Sequence, residues 1–123
     1  MNPEVKRQWV EALLSGEYKQ GTGALRSRNT VGGTETHCCL DVLSDLAVKA
    51  GALAAPVLDG HNHYVYGTSE ESCYLPPEVS DWAELEDPNP WIPAMESSIA
   101  DLNDADDDES TFVDLATLIK EQL

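Results

Sequence analysis

The sequence has few basic residues and no long apolar run, and each absence excludes a class of protein. Seven Lys and Arg stand against 23 Asp and Glu, which gives 123 residues a formal net charge of −16. Because binding to a nucleic-acid backbone needs clustered cations, DNA and RNA are not expected as direct ligands. No segment approaches the ~20 apolar residues of a membrane span, and the first residues lack the apolar run of a signal peptide. These absences predict a cytoplasmic protein with no membrane contact.

Cysteine is also scarce. The three cysteines, Cys38, Cys39 and Cys73, are an odd number, and two of them are adjacent. This is a poor disulfide framework and indicates a reducing compartment. The length fits one domain over residues 1–123, large enough to bury a core without disulfides. No cofactor is expected.

The charge is distributed unevenly along the chain. Residues 1–30 hold five of the seven Lys and Arg and three of the 23 acids, whereas residues 31–123 hold only Lys49 and Lys120 against 20 acids. Such an acidic segment favours a basic protein partner. The alternative is that the acidity only keeps a small protein soluble.

The strongest periodic pattern lies in residues 36–51 and predicts a central helix. Its apolar positions recur at the spacing of one helical face: Cys39, Val42, Leu43, Leu46, Ala47 and Ala50. The opposite, polar face is predicted to hold Asp41, Ser44, Asp45 and Lys49. Gly51 is expected to end the helix in the left-handed conformation.

Other segments carry shorter signals. Capping residues and prolines predict helices that start at Asn2, Pro76, Ser97 or Ser98, and Thr111. Extended segments are predicted at residues 23–27, 34–38, 56–58, 61–66 and 73–75. Trp91 and Ile92 are expected to anchor a proline-rich segment on the core, and residues 104–109 to form a solvated acidic loop. The sequence therefore predicts an α+β domain, with four or five helices packed on a small, largely antiparallel sheet.

Two cysteines at the start of the central helix are candidates for a reactive thiol. A helix N-terminus stabilises a thiolate, and His61 or His63 on a following strand could act as its base. The pattern is the outline of a papain-like thiol enzyme. The alternative is that Cys38 and Cys39 are core residues, since Cys39 falls on the apolar face.

The same residue types could hold zinc. His61 and His63 would share one face of a strand, and His37, Cys38 and Cys73 could supply further ligands. No Cys-x-x-Cys motif supports the site, so a metal stays an alternative to exposed histidines and packed cysteines.

The basic residues Lys19, Arg26 and Arg28 flank Gly21-Thr-Gly23. Backbone amides of a glycine loop, together with nearby cations, can form an anion pocket. The sequence therefore predicts this segment as the place where a small phosphorylated ligand would bind. The alternative is that these cations pair with the acidic remainder of the chain.

Several motifs in order resemble a group of small uncharacterised proteins encoded by tailed bacteriophages. They include Ser15-Gly-Glu-Tyr-Lys-Gln-Gly-Thr-Gly-Ala-Leu-Arg26, Cys38-Cys-Leu-Asp-Val-Leu-Ser-Asp-Leu46 and Tyr74-Leu-Pro-Pro-Glu-Val79. The resemblance covers most of the chain except residues 52–71, and it implies a phage origin and the host cytoplasm but no reaction. Gly and Cys commonly stand in the group where this chain has Asp41 and Ser44, which argues against a metal or redox role there.

These observations favour a protein that acts by binding. The partner is expected to be a host protein that contacts the acidic surface and is sequestered or inhibited, or a small nucleotide-like anion near Lys19, Arg26 and Arg28. A thiol enzyme that uses Cys38 or Cys39 with His61 or His63 is the alternative.

Overall fold

A computed structural model describes residues 1–28, 33–58, 60, 63–66, 72–105 and 111–123. Its five α-helices are α1 Pro3–Leu14, α2 Cys39–Lys49, α3 Pro77–Ala83, α4 Ile99–Asp104 and α5 Phe112–Gln122, and a 3₁₀ helix covers Pro93–Met95. The strands are β1 Arg26–Arg28, β2 Glu35–His37, β3 Val57–Leu58, β4 Tyr64–Val65, β5 Trp91–Ile92 and β6 Ser97–Ser98. The predicted α+β class is confirmed.

The strands pair in chain order as three antiparallel ribbons, β1–β2, β3–β4 and β5–β6. A single antiparallel bridge between Ser27 and His63 joins the first ribbon to the residue that precedes β4. This bridge places the tyrosines of β4 and its following residue beside β1. No helix in the described ranges is long and apolar enough to cross a membrane.

Local sequence signals fix the helix starts as predicted. Asn2 accepts hydrogen bonds from the amides of Glu4 and Val5 at 3.0 and 3.1 Å, and so caps α1. Thr111 and Asp114 form a capping box at the start of α5. Ser98 caps α4.

The central helix is shorter than the periodic segment and is buried on more than one face. The prediction that Asp41 and Ser44 lie on a polar, solvated face is wrong, because both are fully buried. The helix contacts α1, α3, α4 and β2, so its first turns are enclosed on several sides. A periodic pattern predicts a polar face only for a helix with one side in solvent. In this helix only the last turn has a solvent-exposed side.

A side chain from another helix completes the start of α2. Cys38, the N-cap residue, makes no side-chain capping bond. Instead Oδ1 of the buried Asn103 in α4 accepts from the Cys39 amide at 3.1 Å, while its Nδ2 donates to the Gly21 carbonyl at 2.9 Å. The indole of Trp9 in α1 donates to the Cys39 carbonyl at 2.9 Å. The start of α2 therefore ties together α1, α4 and the loop before β1.

Three other expectations need correction. Residues 73–75 form no strand. Ile92 is buried as expected, but the neighbouring Trp91 is 56% exposed, because successive side chains of β5 point to opposite faces. Asp104 is the last residue of α4, not part of a loop, and residues 106–109 of the predicted acidic loop lie outside the described residues.

Candidate functional site

Arg26, the central cation of the predicted anion cluster, is already paired within the protein. Its Nη2 lies 2.5 Å from Oε2 of Glu35 on the neighbouring strand, and its guanidinium stacks 4.7 Å from the ring centroid of Tyr64. The side chain is only 19% exposed. Burial opposes the charged form, but hydrogen bonds with Glu35 and Tyr66 raise the pKa of Arg26. Arg26 is a structural cation, while Lys19 and Arg28 are exposed.

The glycine loop next to this cation also binds groups of the protein itself. The Gly23 amide donates to Oδ1 of Asp104 at 3.0 Å, and the Gly21 amide donates to the His37 carbonyl at 2.8 Å. Gly21 is packed so closely that an added Cβ would lie 2.5 Å from Oγ1 of Thr36. An internal carboxylate thus takes the place predicted for a phosphorylated ligand.

The adjacent cysteines are packed in the core. Cys39 is fully buried and Cys38 is 4% exposed. Burial raises the pKa of Cys38 to about 12 and that of Cys39 well above its usual range. A thiolate is the reactive form, and desolvation outweighs the helix N-terminus at both sulfurs. This geometry argues against the predicted activation of either thiol.

The histidines and Cys73 of the predicted zinc site are placed in different surroundings. His63 is exposed in the bridge to Ser27, Cys73 is exposed in a loop, and His37 is buried at the end of β2. His61 lies outside the described residues. Among the residues that the structure describes, no group of three or more His, Cys, Asp or Glu side chains could hold a metal ion.

The structure contains a buried polar cluster around Asp41 that the sequence patterns did not predict. Nδ1 of His37 and the hydroxyl of Tyr66 both make hydrogen bonds to the Asp41 carboxylate. Burial raises the pKa of Asp41, and the hydrogen bonds from His37 and Tyr66 oppose this rise. Burial likewise raises the pKa of Tyr66. Asp41 is fully buried, and the cluster joins β2, α2 and Tyr66, the residue that follows β4.

A sequence signal for this cluster exists. His37 and Asp41 are four residues apart across the junction of β2 and α2, a spacing that lets a side chain before a helix meet its first turn. The third partner, Tyr66, follows β4 and is distant in sequence, so no local pattern predicts it.

The surface carries two adjoining acidic grooves. One has a volume of about 320 Å³ and is lined by Leu75, Pro77, Ser80, Asp81, Leu85, Glu86 and Pro88. The other, of about 330 Å³, is lined by Met1, Glu84, Leu85, Glu86, Asp87, Pro90, Trp91 and Leu123. Both include Leu85 and Glu86, so we treat them as one double groove.

The double groove combines negative charge with apolar contact area. Its four acidic side chains are all exposed: Asp81, Glu84, Glu86 and Asp87. No Lys or Arg is among the described residues that line either groove. The hydroxyl of Ser80 on its wall is buried with no hydrogen-bond partner among the described residues.

The backbone at the groove is strained. Glu84 has a φ of 58°, a left-handed conformation that a non-glycine residue adopts at a cost. This conformation ends α3 and directs the following acidic segment across the surface. Asn2 holds it there by donating from Nδ2 to the Glu84 carboxylate at 2.9 Å.

Similarity to a protein family extends over the whole chain. A family model described as a domain of unknown function, DUF8296, matches residues 1–123. The chain belongs to this family. No curated protein and no solved structure matches this chain.

Replacing Asp41 tests the buried cluster. Asp41→Ala leaves the donors of His37 and Tyr66 without their acceptor, so we expect the free energy of unfolding to fall by about 3–5 kcal/mol. Asp41→Asn, which keeps an acceptor oxygen, should lose less. Glu11→Ala, which removes an exposed ion pair with Arg7, is the control and should cost far less than Asp41→Ala. Urea denaturation measures all three, and equal losses for Asp41→Ala and the control would contradict burial of a needed carboxylate.

The Glu35 carboxylate makes the free energy of unfolding depend on pH, in a direction that its pKa fixes. The hydroxyl of Tyr64 and then the guanidinium of Arg26 donate to its carboxylate and lower the pKa of Glu35 below its usual 4.5. The folded state therefore binds a proton at Glu35 less readily than the unfolded state, and the stabilisation is present above pH 4.5. It is lost as the pH falls from 4.5 through the lower folded-state pKa.

We expect the stability difference between the wild type and Glu35→Gln to shrink as the pH falls below 4.5. Urea denaturation at a series of pH values measures it. Glu17→Gln, at an exposed position, serves as the control. A stability difference for Glu35→Gln that stays constant across this pH range would show that Tyr64 and Arg26 do not stabilise the ionised carboxylate.

Proposed function

We propose that this protein acts by binding, and that the double groove receives a basic segment of another protein. The observation that carries the proposal is the exposed Trp91, which lines a groove together with Glu84, Glu86 and Asp87; the adjoining groove adds Asp81. An aromatic side chain in a groove is a typical anchor of protein interfaces, and like charges around it select a partner of opposite charge.

The balance of charges supports a partner segment that is rich in Arg or Lys with interspersed apolar residues. Basic side chains would meet Asp81, Glu86 and Asp87, and an apolar side chain would pack against Trp91 and Leu85. The carboxylates accelerate association by attracting a basic segment, and this attraction weakens as salt screens it. The apolar contact with Trp91 keeps the partner bound for longer.

The resemblance to phage proteins gives the proposal its biological setting. A phage-encoded accessory protein works in the cytoplasm of the infected cell, and we propose that its partner is a host protein that it sequesters or inhibits. A host protein that normally binds nucleic acid has the basic surface that this groove would attract. The predicted anion site near Lys19, Arg26 and Arg28 is less favoured, because Arg26 pairs with Glu35.

Fluorescence anisotropy with a labelled peptide of alternating arginine and leucine tests the groove. We expect the wild type to bind the peptide at low salt and to bind it more weakly at high salt. Trp91→Ala should raise Kd by about tenfold or more, since the loss of a central aromatic anchor costs about 2 kcal/mol. The triple variant Asp81→Asn, Glu86→Gln, Asp87→Asn should weaken binding mainly at low salt.

The matched control removes the same charge elsewhere, with Glu11→Gln, Glu17→Gln and Glu121→Gln at exposed positions. This variant should bind almost as the wild type does. Equal weakening by both triple variants would mean that only net charge attracts the peptide. That result, or an unchanged Kd in Trp91→Ala, would overturn the groove as the binding site.

A further inference from the structure

The few cations of this chain are not scattered evenly over its surface. Three of the seven, Lys6, Arg7 and Lys120, line one groove between α1 and α5. The groove has a volume of about 380 Å³, and its other lining residues are Pro3, Val10 and Glu11. It lies on different helices from the acidic double groove.

Two of these cations have no counter-ion among the residues that the structure describes. Arg7 donates from Nη1 to Glu11 at 2.8 Å and from Nε to Glu4 at 3.2 Å, so its charge is largely neutralised. Lys6 and Lys120 form no ion pair with any described residue. In a protein with a net charge of −16, two unpaired lysines at one groove are a local exception.

The positions on α1 explain how the groove gains an apolar wall. The buried face of α1 consists of Val5, Trp9 and Leu13. Lys6 and Val10 each follow one of these residues and lie four apart, so they share the edge of that face. Lys120 lies near the C-terminal end of α5, where the helix dipole favours a cation. The dipole of α5 does not explain why Lys6 and Val10 share an edge of α1.

We propose that this groove binds a small organic anion, with its phosphate or carboxylate group between Lys6 and Lys120 and its apolar body against Pro3 and Val10. The volume is within the range of small-molecule sites, which combine apolar walls with a few charged groups. Glu11 and the nearby Glu4 repel a long polyanion, so the groove favours a compact ligand with one anionic group. The site is independent of the proposed protein partner.

NMR titration of the labelled protein with naphthyl phosphate, naphthoate and uncharged naphthol tests this site. We expect shifts at Lys6, Val10 and Lys120 with the two anions and none with naphthol. Lys6→Gln and Lys120→Gln should each raise Kd for the anions by about fivefold to tenfold, since each removes one charge-assisted hydrogen bond. Tighter binding of the phosphate than of the carboxylate would assign phosphate monoesters, and the reverse would assign carboxylates.

Lys49→Gln is the matched control, because it removes an exposed lysine outside the groove. It should leave Kd unchanged. Equal weakening in Lys49→Gln, shifts with naphthol as large as those with the anions, or the absence of shifts at Val10 would each overturn the proposal. None of these results depends on the peptide that tests the acidic groove.

Discussion

The N-terminal turns of α2 lie where water does not reach, so other parts of the protein must supply the partners of their polar groups. Asn103 accepts from the Cys39 amide, and Trp9 donates to the Cys39 carbonyl. The Asp41 carboxylate receives hydrogen bonds from His37 and Tyr66. An unpaired buried carboxylate or amide costs several kcal/mol, so α1, α4 and the ribbons β1–β2 and β3–β4 must dock on α2 together. This requirement couples elements that are far apart in sequence.

The same enclosure limits where function can lie. Cys38 and Cys39 share the buried region, and desolvation keeps their thiols protonated. Asp41 is surrounded by its own partners and presents no oxygen to a ligand. Among the described residues, the acidic double groove and the cationic groove on α1 and α5 are the exposed sites on which the two proposals rest. Both proposals therefore concern recognition at the surface.

Local chemistry explains what the sequence could predict. The helix caps at Asn2, Ser98 and Thr111 depend on residues within one helical turn, so the sequence alone predicts their positions. The left-handed Gly51 is predictable for the same reason. The burial of Asp41 is not, because periodicity sorts residues by polarity, while burial depends on how many neighbours pack around a helix. Arg26 illustrates a second limit, since pairing of β1 with β2 brings Glu35 beside it.

Native-state hydrogen exchange tests most directly whether the enclosed start of α2 holds the fold together. The amides of His37, Cys38 and Cys39 bond to the Lys19 carbonyl, the Leu25 carbonyl and Asn103 respectively. If this region opens only when the whole protein unfolds, these amides exchange with the free energy of global unfolding, as slowly as any in the chain. Fast exchange at these amides while α1 and α5 stay protected would show that the start of α2 opens by itself, and would contradict the account.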